Sequence, residues 1–315
     1  MSRAGVVVLG SINVDLVMRV PQHPRPGETI LGSNFRQLAG GKGANQAVAA
    51  ARAGQVPVTF LAAVGDDEFG RSAIQRLQSE PQLNARYIAT KPNVATGVAL
   101  ITVDERGENC ICVAGGANQE LTATDLTLLP TKIWEAASLF LVSLESPLES
   151  VAQGLRLARQ HELITIVNPA PAQRAIVQPE LASLIDLLTP NESEAERLTG
   201  ISVVDEASAV LAGRELLKRG CQNVIITRGA LGSIWIGAND QWESMAAHAV
   251  TACDTTAAGD AFSGALAAAL ATELAAARIT RQQLLPAMQF ASRVAAISVT
   301  RPGAQDSLPY RHEVV

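Results

Sequence analysis

The stretch Asp254-Thr-Thr-Ala-Ala-Gly-Asp260 leads directly into Ala261-Phe-Ser-Gly-Ala-Leu-Ala-Ala-Ala-Leu270. The second part has the composition of a helix, with Phe262, Leu266 and Leu270 spaced four residues apart on one face. The first part consists of small residues, and the first N–H groups of a helix have no partner within it. Because the helix dipole adds partial positive charge there, the junction predicts an anion-binding site.

Asp260 stands at this junction, although its charge by itself would repel an anion. A carboxylate beside a place where negative charge develops suggests a general base. The alternative is an N-cap or first-turn acid that only stabilises the start of the helix. This stretch alone leaves both interpretations open.

Length and composition limit the class of protein. The 315 residues suffice for one large α/β domain or two smaller ones, and hydrophobic residues make up 48% of them. The net charge of −5 and the lack of a basic run argue against nucleic acid as a partner. No run has the length and apolarity of a signal peptide or a membrane span, and the four cysteines do not suggest a disulfide framework. We therefore expect a cytoplasmic protein.

Short apolar strands alternate with helical patterns, regularly so from residue 120 onward. Strands are predicted at 6–10, 58–64, 139–142, 164–167, 185–188 and 224–226. This alternation predicts an α/β fold with a mostly parallel central sheet covered on both faces. In such sheets ligands bind at the carboxyl ends of the strands. The polar strand ends at 13–15, 143–145, 168, 191–194 and 227–229 should therefore converge on one crevice with 254–260.

Two segments, 12–38 and 96–114, do not follow this rhythm. The first contains Pro and Gly between extended pieces, and the second is a predicted β-hairpin around the loop 104–108. Since neither has helices between its strands, we assign both to a small separate β layer. The ranges 1–11, 39–95 and 115–315 form the α/β core in this prediction.

Two motifs of the chain carry a family resemblance. There is no P-loop, dinucleotide fingerprint, zinc-protease or nucleophile-elbow motif. Gly40-Gly-Lys-Gly-Ala-Asn-Gln46 and Asp254-Thr-Thr-Ala-Ala-Gly-Asp-Ala-Phe262 resemble the two signatures of the PfkB carbohydrate kinases. Further blocks extend the resemblance over nearly the whole chain: 9–15, 26–29, 96–100, 144–150, 168–172, 189–196 and 300–305.

The resemblance implies both a fold and an activity. The fold is the three-layer α/β fold called ribokinase-like, with a β-sheet lid that often makes a dimer interface; the lid would be 12–38 and 96–114. The blocks 40–46 and 144–150 point, within the family, to ATP-dependent phosphorylation of D-ribose at O5. The products would be ribose 5-phosphate and ADP, and the implied cofactors are Mg²⁺ and K⁺.

The resemblance also implies roles for particular residues. Asp260 would be the base that takes the proton of the ribose 5-hydroxyl, with the backbone N–H groups of Ala257, Ala258 and Gly259 as anion hole. A small polyol needs several hydrogen-bonding groups around it. Those implied here are Asn13, Asp15, Gly41, Lys42, Gly43, Asn45, Glu145 and Asp260.

The nucleotide and the cations have implied sites as well. ATP would lie against Asn191, Thr227, Arg228, Gly229, Ala230, Gly232 and Gly259, with Ser292 near the adenine. Mg²⁺ would be held through water by Asn191 and Glu194, since this ion usually keeps several waters. The implied K⁺ ligands are Asp254, Thr256, Ser298, Arg301, Gly303 and Ser307.

Other functions compatible with these residues stay open. Another PfkB kinase, acting on deoxyribose, fructose or adenosine, would carry the same Asp260 and loop. A catalytically weak sugar-binding protein could share the fold, because fold does not determine function. A nucleoside hydrolase would need a cluster of aspartates for Ca²⁺ near the N-terminus, and Asp15 alone is not one.

Overall fold

The computed structural model describes residues 3–273 and 279–314, which form two sheets and the helices around them. Over these residues the strands are β1 (Gly5–Leu9), β2 (Asn13–Arg19), β3 (Ser33–Gly40), β4 (Val58–Gly65), β5 (Leu83–Asn84), β6 (Ile88–Lys91), β7 (Gly97–Val103), β8 (Asn109–Ala114), β9 (Ala137–Ser143), β10 (Ile164–Asn168), β11 (Leu187–Leu188), β12 (Val224–Thr227), β13 (Ser233–Ile236) and β14 (Trp242–Met245).

The α-helices of the same residues are α1 (Lys42–Gly54), α2 (Glu68–Gln78), α3 (Ala123–Thr127), α4 (Lys132–Glu135), α5 (Leu148–Gln160), α6 (Pro179–Ala182), α7 (Glu192–Thr199), α8 (Glu206–Lys218), α9 (Ala258–Glu273) and α10 (Arg281–Ser298). The predicted core ranges also include residues 1–2, 274–278 and 315, which lie outside the described residues.

The large sheet has the strand order β14-β13-β12-β11-β10-β9-β1-β4-β5, with β6 also paired to β4. All pairs from β12 to β5 are parallel, which confirms the predicted mostly parallel sheet. The antiparallel strands β13 and β14 at one edge were not predicted. After β12 the chain returns by tight turns instead of a helix, so the strand–helix rhythm ends there.

The central strands are buried on both faces, as their continuous apolar sequences require. In β1, Val6 and Val8 belong to the core shared with α1, α9 and α10, whereas Val7 and Leu9 belong to the core shared with α5 and α8. Alternate side chains of one strand therefore serve two cores. This arrangement makes the three layers of the fold.

Helix α9 begins three residues before the predicted Ala261, so that Asp260 lies in its first turn. The predicted helix is confirmed, and its burial extends beyond the face that carries the three large apolar residues. Phe262, Leu266 and Leu270 are buried, but so are almost all the residues between them. A helix that is apolar all round belongs in a core, and α9 packs against α1, α10 and the sheet. The first turn of α9 is thereby held inside the protein.

The small sheet has the order β3-β2-β7-β8, with β2 and β7 parallel and the other pairs antiparallel. Its strands come from the two segments predicted to form a separate β layer, and β3 runs on to Gly40. Several large apolar side chains of this sheet are exposed: Phe35, Leu100, Ile111 and Val113. No helix within the described residues is long and apolar enough to cross a membrane.

Candidate active site

The carboxylate of Asp260 is held on both of its oxygens by neighbouring residues of α1. Asn45 Nδ2 donates to Oδ2 and Gln46 Nε2 donates to Oδ1, each over 2.9 Å. Asp260 is only 6% exposed. The predicted base is thus a buried carboxylate in a fixed orientation. A first-turn acid that only stabilised the start of the helix would not need to be buried or held in this way.

The start of α1 reaches this position because residue 41 is glycine. Gly41 has φ +92°, and a Cβ there would lie 2.7 Å from both the Asn13 nitrogen and the Ser11 carbonyl oxygen. Lys42 N–H then donates to Glu145 Oε2 over 3.0 Å, and the Ser11 hydroxyl donates to the same oxygen. Glu145, which follows β9, therefore joins the link between β1 and β2 to the start of α1.

Four carboxylates act on the amine of Lys42, and three of them belong to the predicted sugar site. The Asp260 carboxylate raises the pKa of Lys42 most; burial opposes this effect, and Glu145, Glu194 and Asp15 reinforce it. Burial raises the pKa of Asp15 to about 7, with Glu145 and Asp260 adding to the effect and Lys42 opposing it. The group combines one cation with several acceptors, which is the chemistry that binds adjacent hydroxyls.

The amide of Asn13 is oriented by Asn118, a residue that the sequence analysis did not select. Asn118 Nδ2 donates to Asn13 Oδ1 over 2.8 Å and to the Ile12 carbonyl oxygen, while its Oδ1 accepts from Ile12 N–H. Since Asn13 Oδ1 is already an acceptor in this bond, its Nδ2 is the end left for a ligand. Asn13 can therefore act as a donor beside acceptors such as Asp15.

A cavity of about 200 Å³ lies beside Asp260 at the carboxyl ends of the strands. Its lining combines most of the predicted strand ends with the start of α9: Lys42, Asn168, Ala170, Thr189, Asn191, Glu194, Thr227, Thr255, Ala257, Ala258, Gly259, Asp260 and Ser263. Asn13 lies outside this lining and borders a second cavity between the small sheet and α2. The predicted sugar residues, here called the polyol half, therefore share only Lys42 and Asp260 with the lining of the cavity beside the loop 255–259, here called the loop half.

The loop before α9 is strained at Ala257, which has φ +62°. A residue with a Cβ pays about 1–2 kcal/mol for this left-handed conformation. Ala258 N–H makes a long bond of 3.3 Å to the Thr255 carbonyl oxygen. Such strain often accompanies functional loops, and here Thr255 and the residues from Ala257 to Asp260 line the cavity.

Asn191 and Glu194 form a reciprocal cap on α7. Asn191 Oδ1 accepts from Glu194 N–H, and Glu194 Oε2 accepts from Asn191 N–H, both over 2.8 Å. Burial raises the pKa of Glu194, although the Asn191 N–H and Lys42 oppose this rise. Both side chains therefore have a structural task, and Glu194 Oε1 remains for a ligand.

Most of the other predicted nucleotide residues lie at the end of β12 and in the turn that follows it. Thr227 lines the cavity and forms a β-bridge with Asn191. The residues Gly229–Leu231 form a short 3₁₀ turn, and Arg228 lies 3.5 Å from Glu192. Ser292 is half-buried on α10, outside the lining of the cavity.

Two of the predicted K⁺ residues, Thr256 and Gly303, form hydrogen bonds with Asp254. Its Oδ1 accepts from Thr256 N–H over 2.9 Å and its Oδ2 from Gly303 N–H over 2.8 Å. Burial alone would raise the pKa of Asp254, but these hydrogen bonds hold it below its usual value. Ser298 O accepts from Arg301 N–H, and the Ser307 hydroxyl donates to the Ala304 carbonyl oxygen.

Arg52, which the sequence analysis also did not select, ties this loop to α1. Its Nη1 donates to the carbonyl oxygens of Gln305 and Leu308 over 2.8 and 3.1 Å. Its remaining N–H groups bind the buried carboxylate of Glu80. Four residues that were not predicted as site residues therefore support the site: Gln46, Arg52, Asn118 and Asn168. Two of them lay in features that the sequence analysis did identify, Gln46 in the motif 40–46 and Asn168 at a strand end.

Comparisons with known proteins indicate the family of this chain. Residues 3–311 match the pfkB family of carbohydrate kinases. A ribokinase of Haemophilus influenzae is 40% identical over 99% of this chain and 98% of its own. A deoxyribokinase of Salmonella typhi is 36% identical over 96% and 95% of the two chains. The structure of Arabidopsis thaliana ribokinase complexed with ribose and ATP has a TM-score of 0.87 at 28% identity, covering 100% and 98%.

The chain therefore belongs to the pfkB family of carbohydrate kinases. Its fold, with a large mostly parallel sheet and a small separate sheet, is that of solved ribokinase structures. It is a phosphotransferase, as the family resemblance in the sequence predicted.

Proposed function

We propose that this enzyme transfers the γ-phosphate of ATP to O5 of D-ribose, giving ribose 5-phosphate and ADP. The observation that carries the proposal is the buried carboxylate of Asp260, which is held by Asn45 and Gln46 and lines a cavity together with Lys42 and the loop at the start of α9. The ribokinase of Haemophilus influenzae and the ribose- and ATP-bound structure from Arabidopsis support it.

Asp260 acts as the base in this proposal. Its carboxylate takes the proton of the 5-hydroxyl while the oxygen attacks the γ-phosphorus, and the bond to the β-phosphate oxygen breaks. The N–H groups of Ala257, Ala258 and Gly259, at the positive end of α9, stabilise the charge on the transferred group. Phosphoryl transfer depends mainly on such positioning and neutralisation of charge.

The polyol half of the site binds the sugar. Asn13, Gly41, Gly43, Lys42 and Asn45 supply polar side chains and close backbone approaches at one end of α1 and β2. Asp15 and Glu145 supply acceptors for sugar hydroxyls. A sugar that lacked one of these hydroxyls would leave a buried polar group unpaired, which costs about 1–3 kcal/mol.

Two cations complete the proposed site. Glu194 Oε1 and the amide of Asn191 suit a water-mediated contact with Mg²⁺, which neutralises charge on the phosphates when it is bound. Asp254, Ser307 and the carbonyl oxygens of Thr256, Ser298, Arg301 and Gly303 offer an oxygen-only set that suits K⁺. ATP itself would lie along Thr227 to Gly232 and Gly259, with Ser292 toward the adenine.

A coupled ADP-release assay tests the proposal. It compares ribose, deoxyribose, fructose and adenosine with ATP and Mg²⁺, in K⁺ and again in Na⁺. Ribose should have the highest kcat/KM, and the rate should fall in Na⁺. Asp260→Asn should still bind ribose while its kcat falls by about 10²–10⁴-fold; a variant with nearly the original rate would exclude Asp260 as the base.

Deoxyribose is the second candidate substrate, because a deoxyribokinase matches this chain almost as fully as the ribokinases do. The two sugars differ by one hydroxyl. A higher kcat/KM with deoxyribose would leave the roles of Asp260 and the loop unchanged and would revise the sugar contacts only.

We also propose that the small sheet acts as a lid and joins two copies of the enzyme. The apolar side chains exposed on it, such as Phe35 and Leu100, support this proposal. Phe35→Asp should shift the mass measured by light scattering from dimer to monomer. Leu128→Asp is the control, since Leu128 is 78% exposed on another part of the molecule. A wild-type enzyme that is already monomeric would contradict the proposal. We also propose that the enzyme is located in the cytoplasm.

A further inference from the structure

Gln46 is a completely buried amide that joins three elements at the active site. It lies on α1, and its Nε2 donates to Asp260 Oδ1 on α9 over 2.9 Å and to Asn168 Oδ1 at the end of β10 over 3.0 Å. Gln46 makes no direct contribution to the lining of the cavity beside Asp260. Its position suggests a task that is exerted through Asp260.

The direction of these hydrogen bonds follows from a backbone carbonyl group. Asn168 Nδ2 donates to the Thr189 carbonyl oxygen over 2.9 Å, and a carbonyl oxygen can only accept. Asn168 therefore presents its Oδ1 to Gln46, and Gln46 must present its NH₂ group in return. The opposite orientation would bring Gln46 Oε1 against two acceptor oxygens, those of Asn168 and Asp260.

This orientation of the Gln46 amide leaves its oxygen without a hydrogen bond from any described residue, which is unfavourable for the stability of the fold. The Gln46 Oε1 atom is buried and has no hydrogen-bond partner among the described residues. An unpaired buried acceptor destabilises a fold, and such a group in a native protein needs a reason. The two hydrogen bonds donated by Gln46 Nε2 supply this reason, because they fix the position of Gln46 against the carboxylate of Asp260.

The backbone is also arranged for this contact. Gly264 on α9 faces the Gln46 carbonyl oxygen, and a Cβ at position 264 would lie 2.3 Å from that oxygen. Glycine thus allows α1 and α9 to approach closely enough for a glutamine on one helix to reach an aspartate on the other.

We propose that Gln46 is a positioning residue that holds Asp260 in the plane required for proton transfer. This inference rests on the proposed function, in which Asp260 is the base. Asn45 holds Oδ2 and Gln46 holds Oδ1, so rotation of the carboxylate is blocked. Each oxygen keeps a further lone pair with which to accept the proton of the sugar hydroxyl.

Gln46→Met tests the inference, because methionine has similar length and no N–H. We expect kcat to fall by about 10–100-fold, since small misplacements of a reacting group have effects of this size. The Kd for ribose, measured by calorimetry without ATP, should change less than about threefold, because Gln46 is completely buried and does not line the cavity. Gln222→Met makes the same chemical change on an exposed turn and should leave kcat unchanged.

A double variant separates positioning from general damage. If Gln46 acts through Asp260, Gln46→Met should lower the residual rate of Asp260→Asn by no more than about twofold. An unchanged kcat in Gln46→Met would overturn the inference. A Gln46→Met variant that lost ribose affinity and thermal stability along with kcat would also overturn it. So would a double variant whose rate falls below that of Asp260→Asn by the full factor measured for Gln46→Met alone. A nearly normal rate in Asp260→Asn would instead overturn the proposed base.

Discussion

The charge of Asp15 provides a quantitative test of the electrostatics of the site. Asp15 lies on β2 near the carboxylates of Glu145 and Asp260 and the amine of Lys42, and its pKa is raised from 3.8 to about 7, mainly by burial. The folded protein therefore holds this proton more tightly than the unfolded chain. The free energy of unfolding should fall as pH rises from about 4 to 7, by roughly 4 kcal/mol at most, and the effect should be complete above pH 7.

Asp15→Asn removes the charge with little change of shape. Urea unfolding at pH 5, 6, 7, 8 and 9 measures its effect on the free energy of unfolding. At pH 8 the variant should be more stable than the wild type by about 1–4 kcal/mol, and this difference should shrink toward pH 5. Its affinity for ribose should fall, because an amide replaces a carboxylate acceptor.

Glu105→Gln is the matched control for this experiment. It removes the same charge from an exposed residue of the loop between β7 and β8, and should change stability by less than about 0.5 kcal/mol. If Asp15→Asn were no more stable than the wild type at pH 8, and its pH dependence were the same, then the buried charge of Asp15 would not lower the free energy of unfolding. The account of the polyol half would then be wrong.

Two further predictions concern the support of the site. Arg52→Met should lower the free energy of unfolding by about 3–5 kcal/mol in urea titrations, because it leaves Glu80 buried without a cation. The double variant Arg52→Met/Glu80→Met should recover most of this loss, and a single-variant loss below about 1 kcal/mol would contradict the argument. Gly41→Ala should destabilise more than Gly27→Ala and should raise the KM for ribose. Gly27 has φ +86° with open space around it, whereas Gly41 has both φ +92° and close backbone neighbours, so equal losses would count against a steric role for Gly41.

The central strands of the large sheet and the strands of the small sheet could be predicted from local patterns. The apolar runs 164–167 and 224–226 became β10 and β12, since a strand buried on both faces needs a continuous apolar sequence. The hairpin of β7 and β8 followed from two extended segments that flank the Gly-containing loop 104–108. By contrast, β13 and β14 were missed because short strands that return by tight turns have no helix between them to mark the rhythm.

The start of α9 shows the limit of periodicity. The spacing of Phe262, Leu266 and Leu270 indicated a helix, but it did not show that the remaining faces are buried too. Alanine is compatible with a surface or a core, and only the neighbouring helices decide which. The buried state of Asp260 follows from that packing.

By itself, then, the sequence indicated the central parallel strands and the strands of the small sheet, and its two glycine-containing motifs indicated the family. Only the tertiary structure decided which side chains meet. Gln46 and Asp260 are 214 residues apart and Asn118 and Asn13 are 105 apart, yet each pair shares a hydrogen bond. Periodicity reports on neighbours along the chain, whereas the orientation of a buried amide depends on donors and acceptors that folding brings from elsewhere.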